Sequence, residues 1–439
     1  MDYTVGEVLQ FVEENDVKFI RLVFCDLFGK LKNISIMAEE LPFAFEHGVS
    51  FDASAVRGFL NVEESDLFLF PDPGTLSILP WRPQQGRVVR FFCDIKHPNG
   101  EAFAGDGRKI LKKAVKKAAD MGYSCKIGSE CEFYLFEADD SGRPTTKPHD
   151  YAGYLDIAPD DKGENVRREI CLTLEEMGIK PESSHHEQGP GQNEIDFKYS
   201  DALTAADNLA TFKRVVKTVA AKNGLYASLM PKPIPTCAGN GLHINMSLAQ
   251  MGLNIFKNST TEHSKEAESF IAGILLHIRE ITVFLNPLTN SYRRLGSFEA
   301  PKYVTWSHEN RSQLIRIPAA KGEKARMELR SPDPSCNSYL AFALLIYAGL
   351  DGIERELPLC PPSNFNLYRA AEDQLNGILP LPFDLRQAAD LAKESEFVKA
   401  CLPKRSIDAF LSAKRLEWEI YCRAQDKEAF EHESYFYSY

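Results

Sequence analysis

Ile127-Gly128-Ser129-Glu130-Cys131-Glu132-Phe133-Tyr134-Leu135-Phe136 is the stretch on which the architecture of this chain turns. Successive side chains of an extended strand point to opposite faces, so Glu130, Glu132 and Tyr134 share one side while Cys131, Phe133 and Leu135 take the other. Two glutamates on one strand are ordinarily a solvated face, but three further segments repeat the pattern. In Ser184-His185-His186-Glu187-Gln188-Gly189-Pro190-Gly191-Gln192-Asn193-Glu194 a Gly/Pro turn separates Glu187 from a strand expected to begin at Glu194, a hairpin that aims both carboxylates inward. In Gly239-Asn240-Gly241-Leu242-His243-Ile244-Asn245-Met246-Ser247, the residues His243, Asn245 and Ser247 lie opposite an apolar face. In Arg326-Met327-Glu328-Leu329-Arg330 the charged residues again lie opposite apolar ones. A polar face matched to a polar cavity explains these strands jointly.

Outward from these strands, the chain of 439 residues exceeds the roughly 250 to 300 at which a single core stops growing. Two units are expected, residues 1–100 and 101–439. The first reads as a small α+β domain: a helix over Val5 to Glu14, a strand over Val17 to Cys25, a turn at Asp26 to Lys30, strands at Leu31 to Met37 and Val88 to Ile95. Pro98-Asn99-Gly100 marks the boundary, and a helix beginning near Asp106 presents Lys112, Lys113, Lys116 and Lys117 as a solvated face. The second unit alternates strands with helices at Glu164 to Met177 and Leu203 to Asn223, has no repeat, and closes in helices from about Leu381 and an aromatic tail.

The formal net charge of -11 disfavours nucleic acid and anionic membrane surfaces as partners. Leu340 to Leu350, the longest apolar run, is far short of the ~20 residues of a membrane-spanning helix and reads as a buried helix. The opening residues Met1 to Val5 lack the features of a secretory leader, and the 10 cysteines stand singly, without CxxC pairs. A cytoplasmic protein with reduced thiols is expected.

Glutamates with one histidine are oxygen-rich ligands suited to Mg²⁺ or Mn²⁺ rather than structural zinc. Arginines beside them suggest phosphate. Phosphoryl transfer relies on charge neutralisation and alignment, and without a Walker A loop a nucleotide would be cradled by metal and arginine.

These residues resemble the glutamine synthetase family, type I, shorter alpha-like subtype. The resemblance spans the chain in order through Phe51-Asp52, Glu64-Ser65-Asp66, Gly128-Ser129-Glu130-Cys131-Glu132-Phe133, Ser184-His185-His186-Glu187, Met230-Pro231-Lys232-Pro233, Asn290-Ser291-Tyr292-Arg293-Arg294-Leu295, Asn310-Arg311-Ser312 and Arg330-Ser331-Pro332-Asp333-Pro334. It implies an α+β fold: an N-terminal β-grasp-like domain, then a catalytic domain whose curved antiparallel sheet is flanked by helices. It also implies a homo-oligomer, a dodecamer of two hexameric rings with active sites between neighbouring subunits.

Carried over by position, the resemblance assigns Glu132, Glu187 and Glu194 to one metal ion and Glu130, His243 and Glu328 to a second, with two or more Mg²⁺ or Mn²⁺ ions per site. Arg294, Arg311 and Arg330 would bind the glutamate carboxylate or phosphate groups, and Arg316 and Arg326 the ATP phosphates. Asn245 and Ser247 would lie near the nucleotide and Gly239 near the substrate amino acid. Asp52 from the adjacent subunit, with Tyr154 and Glu299, would form the ammonium pocket, Glu299 also closing the site. The implied reaction joins L-glutamate and ammonium at the expense of ATP through a γ-glutamyl phosphate.

The chain departs from the family pattern around the amine and amino acid. Asp52-Ala53-Ser54-Ala55 lacks one hydroxyl of the usual ammonium loop, and Ala238 stands where a substrate-contacting amide is usual, with Asn240 as its candidate replacement. Leu295 to Glu299 is about one residue shorter than the usual flap. Ala55 and Ala238 motivate a second reading, a γ-glutamyl ligase for an organic amine or polyamine. A third is a non-catalytic, glutamine-synthetase-like binding protein. Asn61 occupies the position of a feedback-sensing arginine, and Tyr368, roughly where some bacterial relatives are adenylylated, reads as an ordinary loop tyrosine.

Overall fold

The computed structural model describes residues 3–60, 62–257, 263–320 and 322–439; Asn61 lies outside them. The first helix, α1 (Val5–Glu14), is nucleated by a capping box: Thr4 accepts from the Glu7 N–H and the Glu7 carboxylate accepts from the Thr4 N–H. β1 (Val17–Cys25) turns at Asp26, whose carboxylate accepts from the backbone N–H groups of Phe28 and Lys30, into β2 (Leu31–Met37). With α2 (Leu41–His47), β3 (Val49–Asp52), β4 (Asp66–Pro71), β5 (Ser77–Ile78) and β6 (Arg87–Lys96) these form a six-stranded sheet ordered β2-β1-β6-β4-β3, β5 pairing with β6. β1 and β6 run parallel, and Ile20, Leu22, Val89 and Phe91 pack with Val8 and Val12 of α1 and Leu41 of α2.

The second layer begins with α3 (Gly107–Asp120), capped by Asp106. Then come β7 (Tyr123–Ala138), β8 (Pro144–Pro148), α4 (Glu164–Glu176), β9 (Pro181–His186), β10 (Gln192–Phe197), β11 (Ser200–Asp201), α5 (Ala202–Lys222), β12 (Leu225–Ser228), β13 (Leu242–Gln250) and β14 (Leu253–Asn254). They are followed by α6 (Lys265–Leu285), α7 (Ser291–Arg294), β15 (Trp306–His308), β16 (Ile315–Ile317), β17 (Met327–Leu329) and α8 (Ser338–Glu354). The sheet runs β15-β16-β17-β13-β7-β10-β9 and is antiparallel except between β15 and β16. The hairpin strand after the Gly/Pro turn begins at Gln192, two residues before the expected Glu194.

The apolar face of this sheet is where the alternation put it. Cys131, Phe133, Leu135, Ile195, Ile244, Met246 and Leu329 join one core with α5, α6 and α8. α6 and α8 approach through glycine: a Cβ on Gly273 would lie 2.2 Å from the Ala348 carbonyl oxygen, and one on Gly352 2.0 Å from that of Ser269. Leu340 to Leu350 is buried within α8 except at Tyr347, and among the described residues no helix is long and apolar enough to cross a membrane. The lysine face of α3 is only partly solvated, because Lys112 binds Asp94 at 2.7 Å and Lys117 binds Glu354 at 2.8 Å.

Buried Arg108 fastens the two sheets' surroundings together. Its guanidinium donates to Asp72 at 2.8 Å and Asp94 at 3.2 Å on one side and to Asp207 of α5 at 3.0 Å on the other. The chain closes with α9 (Leu385–Glu394), α10 (Glu396–Cys401), α11 (Lys404–Arg423) and α12 (Lys427–Glu431), and the aromatic tail seats Tyr435 and Phe436 beside Tyr134 and Phe136.

Candidate active site

Register assembles the site. His243 on β13 stands opposite Glu130 on β7, and Glu130 opposite Asp196 on β10; farther along the same ladder, Glu132 faces Glu194. Like charges directly opposite across a ladder repel, so this face is unfavourable unless protons or cations enter it. The turn that delivers Glu187 is shaped by glycine: Gly191 has φ 70°, and a Cβ on Gly189 would lie 1.9 Å from the Tyr134 hydroxyl. His186, beside Glu187, is fully buried and bonded through Nε2 to Asp150 at 2.8 Å, which anchors the strand end.

The electrostatics follow from this crowding. Burial, and then the charge of Glu132, push the Glu187 carboxyl up to about 8, and the same two causes raise Glu194. Glu130 behaves oppositely: burial pushes it up, but the hydrogen bond and charge of His243, with help from Asn245, bring it down to about 2. His243 Nδ1 lies 3.2 Å from Glu130, and Asn245 donates to it at 2.8 Å. Glu132 accepts from the Gly241 N–H at 2.8 Å and from Gln192 Nε2 at 2.9 Å.

Two sets of ligand atoms in the cavity each converge within 4.8 Å: Glu130, Glu194 and His243, and His185, Glu187 and Glu194. Glu194 therefore stands between the two groups. Three carboxylates and two imidazoles, with Glu187 and Glu194 crowded by burial and by Glu132 to the point of holding protons, are a donor set that fits hard divalent cations.

Opposite the carboxylates lies an arc of guanidinium groups. Arg294 is buried and donates to the carbonyls of Ser331 at 2.8 Å and Arg330 at 3.1 Å. Arg330 donates to Glu328 at 2.5 Å and lies 3.7 Å from Glu299. Arg316 donates to Glu328 from Nε at 2.6 Å, and Arg326 donates to Asn245 at 2.7 Å. Acid and arginine walls enclose a cavity of about 520 Å³, large enough for a small-molecule substrate.

The residues singled out in the sequence all line this cavity except Asp52, Asn240, Asn245, Ser247 and Glu328. Asn245 and Glu328 form a layer behind the wall, Asn245 clamped between Glu130 and Arg326 and fully buried Glu328 between Arg316 and Arg330. The Glu328 carboxylate lies 3.9 Å from His243 Nδ1. Ser247 lies two residues farther along β13, opposite Lys126. Asn240 does not replace the missing amide: it is fully buried, its Nδ2 donating to the Ser228 and Met230 carbonyls at 3.3 and 2.9 Å, away from the cavity. Asp52 is exposed on the N-terminal domain, where it accepts from the backbone and hydroxyl of Ser54.

Sequence reasoning missed Gln192 and Asp196, which share the face of Glu194 and line the cavity. Beginning the strand two residues earlier exposes Gln192 by simple alternation, and carrying the alternation two residues past Glu194 exposes Asp196. It also missed Gln188, which donates to Glu299 at 3.1 Å. Phe298 takes a left-handed φ of 52° and places its ring 4.3 Å from Lys232 Nζ, fixing the short flap. Tyr368 is more than a loop tyrosine by position: it lines a cleft that shares Phe298, Glu299 and Arg311 with the main cavity.

Comparison with known proteins converges on one family. Residues 16–98 match the family model described as glutamine synthetase, beta-Grasp domain, and residues 104–435 the model described as glutamine synthetase, catalytic domain. The chain is 49% identical to a glutamine synthetase of Clostridium saccharobutylicum, over 95% of this chain and 96% of that one. It is 48% identical to that of Methanosarcina mazei, over 95% of each. A solved structure described as a GmaS/ADP complex superposes with a TM-score of 0.87 at 29% identity, covering 99% of both chains. With matches that span both sheets and a carboxylate-and-arginine cavity at the centre of the larger one, the chain belongs to the glutamine synthetase family.

Proposed function

We propose that this protein ligates ammonia to L-glutamate with ATP, giving L-glutamine, ADP and phosphate. The observation that carries the reading is the facing of the β7 and β10 carboxylates and His243 of β13 against the Arg294–Arg316–Arg326–Arg330 arc in one cavity. Glu130, Glu132, Glu187, Glu194 and His243, with Glu328 from the layer behind, would hold two or more Mg²⁺ or Mn²⁺ ions. When bound, these supply charge neutralisation for the phosphate oxygens.

Arg316 and Arg326 hold the ATP phosphates, with Asn245 orienting Arg326 and Ser247 toward the nucleotide end. Arg294, Arg311 and Arg330 hold glutamate and the transferring phosphoryl group, and Gly239 leaves room for the amino acid. The γ-carboxylate oxygen attacks the γ-phosphorus of ATP, ADP leaves, and a γ-glutamyl phosphate forms. Ammonium enters beside Tyr154 and Glu299, loses a proton to Asp52, and attacks the acyl carbon, expelling phosphate. Glu299, on the flap, keeps water from the intermediate.

Because Asp52 does not line the cavity of its own chain, the mechanism requires a neighbouring subunit, which supports a ring assembly and the expected dodecamer of two hexameric rings. A cytoplasmic location suits an enzyme drawing on ATP and glutamate.

Phosphate release from ATP with Mg²⁺ and L-glutamate, comparing ammonium with a panel of primary amines and polyamines, tests the reading. Ammonium alone is expected to drive turnover. Turnover with an organic amine only would transfer the assignment to a γ-glutamyl-amine ligase, and none with any amine would leave a binding protein.

A further inference from the structure

Away from the carboxylate site, a second cavity of about 350 Å³ opens between the β1–β2 hairpin and α5. Its walls are cationic: Arg21 from β1, Lys30 from the turn, Lys32 from β2, and Lys213, Arg214 and Lys217 from one side of α5. Trp81 and Phe92 add flat apolar walls.

Compensation within the protein is thin. Asp26 reaches Lys32 only at 3.8 Å, and Lys213 donates to the Cys336 carbonyl at 2.9 Å. Arg90, also in the wall, donates to the Thr211 hydroxyl at 2.9 Å and lies 4.2 Å from the Phe92 ring centroid. The side chains of Arg21, Arg214 and Lys217 have no hydrogen-bond or ion-pair partner among the described residues. Tyr439 also reaches the wall, with its ring 5.3 Å from Lys30 Nζ. Burial, then the charges of Lys30, Arg214 and Lys213, pull the Lys217 ammonium down to about 8.

Like charges converging on a partly desolvated cavity repel one another, and the arrangement becomes favourable when a multiply charged anion enters. Arginine forks and lysine ammonium groups together match the oxygens of phosphoryl or carboxylate groups. We propose that this cavity is a binding site for a small polyvalent oxyanion, separate from the carboxylate-lined active site and held chiefly by Arg21, Arg214 and Lys217.

The test is calorimetric titration of the full-length protein, in buffer free of divalent metal, with sodium tripolyphosphate and separately with citrate. At least one is expected to bind, about tenfold or more weaker to a Lys217→Met, Arg214→Gln double variant and unchanged with Arg316→Gln in the active site. Tripolyphosphate alone identifies the ligand as phosphoryl-bearing, citrate alone as a polycarboxylate. No binding of either anion by the parent protein overturns the proposal, as does equal binding by the double variant or loss of binding in Arg316→Gln. A second measurement does not depend on ligand identity: Lys217→Met should raise the melting temperature in low-anion buffer, since it removes an uncompensated charge. A lower melting temperature there would also overturn the proposal.

Discussion

The cavity in front of the catalytic sheet and the cavity between α5 and the β1–β2 hairpin carry the same electrostatic difficulty with opposite sign. In the first, Glu132 faces Glu194 across a ladder and Glu187 is pushed up to about 8; in the second, Lys217 is pulled down to about 8. They differ in how their charges are supported. The acidic cavity is backed by a layer of paired groups: Glu328 under Arg316 and Arg330, Asn245 under Arg326, Gln192 beside Glu132. In the basic cavity only Arg90 and Lys213 are so anchored among the described residues, while Arg21, Arg214 and Lys217 are not. A layered site holds its geometry whether or not its ions are present, whereas a site of free side chains takes shape around its ligand.

The most severe test of that contrast is Glu328→Ala. It leaves two guanidinium groups unpaired behind the cavity, and turnover measured by phosphate release should fall about a thousandfold. Denaturant unfolding should show a loss of about 3 to 5 kcal/mol, the usual consequence of breaking a buried ion pair. Turnover within tenfold of the parent would mean that the backing layer is not needed.

Gln192→Leu comes next. It removes the hydrogen bond to Glu132 while keeping the volume, and Mg²⁺ affinity by titration should weaken about 10- to 100-fold. An unchanged affinity would show that the ligands orient themselves.

In the basic cavity, Arg90→Met should cost about 1 to 2 kcal/mol in thermal or denaturant unfolding, because it breaks the buried bond to Thr211. Equal effects of Arg90→Met and Lys217→Met would erase the distinction between anchored and free cations.

The smallest effect concerns pH. Glu187 and Glu194 have folded pKa values raised above the unfolded value of 4.5, so between 4.5 and about 8 the folded state binds more protons than the unfolded one. Stability of the metal-free protein attributable to these groups should fall as pH rises through that window, and saturating Mg²⁺ should flatten the slope. Identical slopes with and without Mg²⁺ would contradict the assignment of the ions to these carboxylates.

Much of the acidic site was legible because alternation along a strand is local. Glu130 and Glu132 share a face with Tyr134, and Arg326 with Arg330, whatever lies beside them. Misjudging where β10 begins hid Gln192, and following its alternation no farther than Glu194 left out Asp196. Asn240 was misread for a different reason: its place in a loop gives no period, and only the packed structure shows its amide turned toward Ser228 and Met230. Lys213, Arg214 and Lys217 drew no reading from the sequence, and only the β1–β2 hairpin laid against α5 makes them a cavity wall.

Sequence by itself therefore determined the element types, the apolar and polar faces of the central strands, and a carboxylate-and-arginine chemistry, because these depend on backbone period and on side-chain type. Tertiary structure alone decided which carboxylates stand opposite one another, which site residues line the cavity and which sit behind it, and that a second, cationic cavity exists. Those depend on strand register and on contacts between residues more than a hundred positions apart, such as Arg90 with Thr211 and Glu132 with Gly241. No local periodicity encodes such contacts, and burial, which sets the charge state of each group, follows from them.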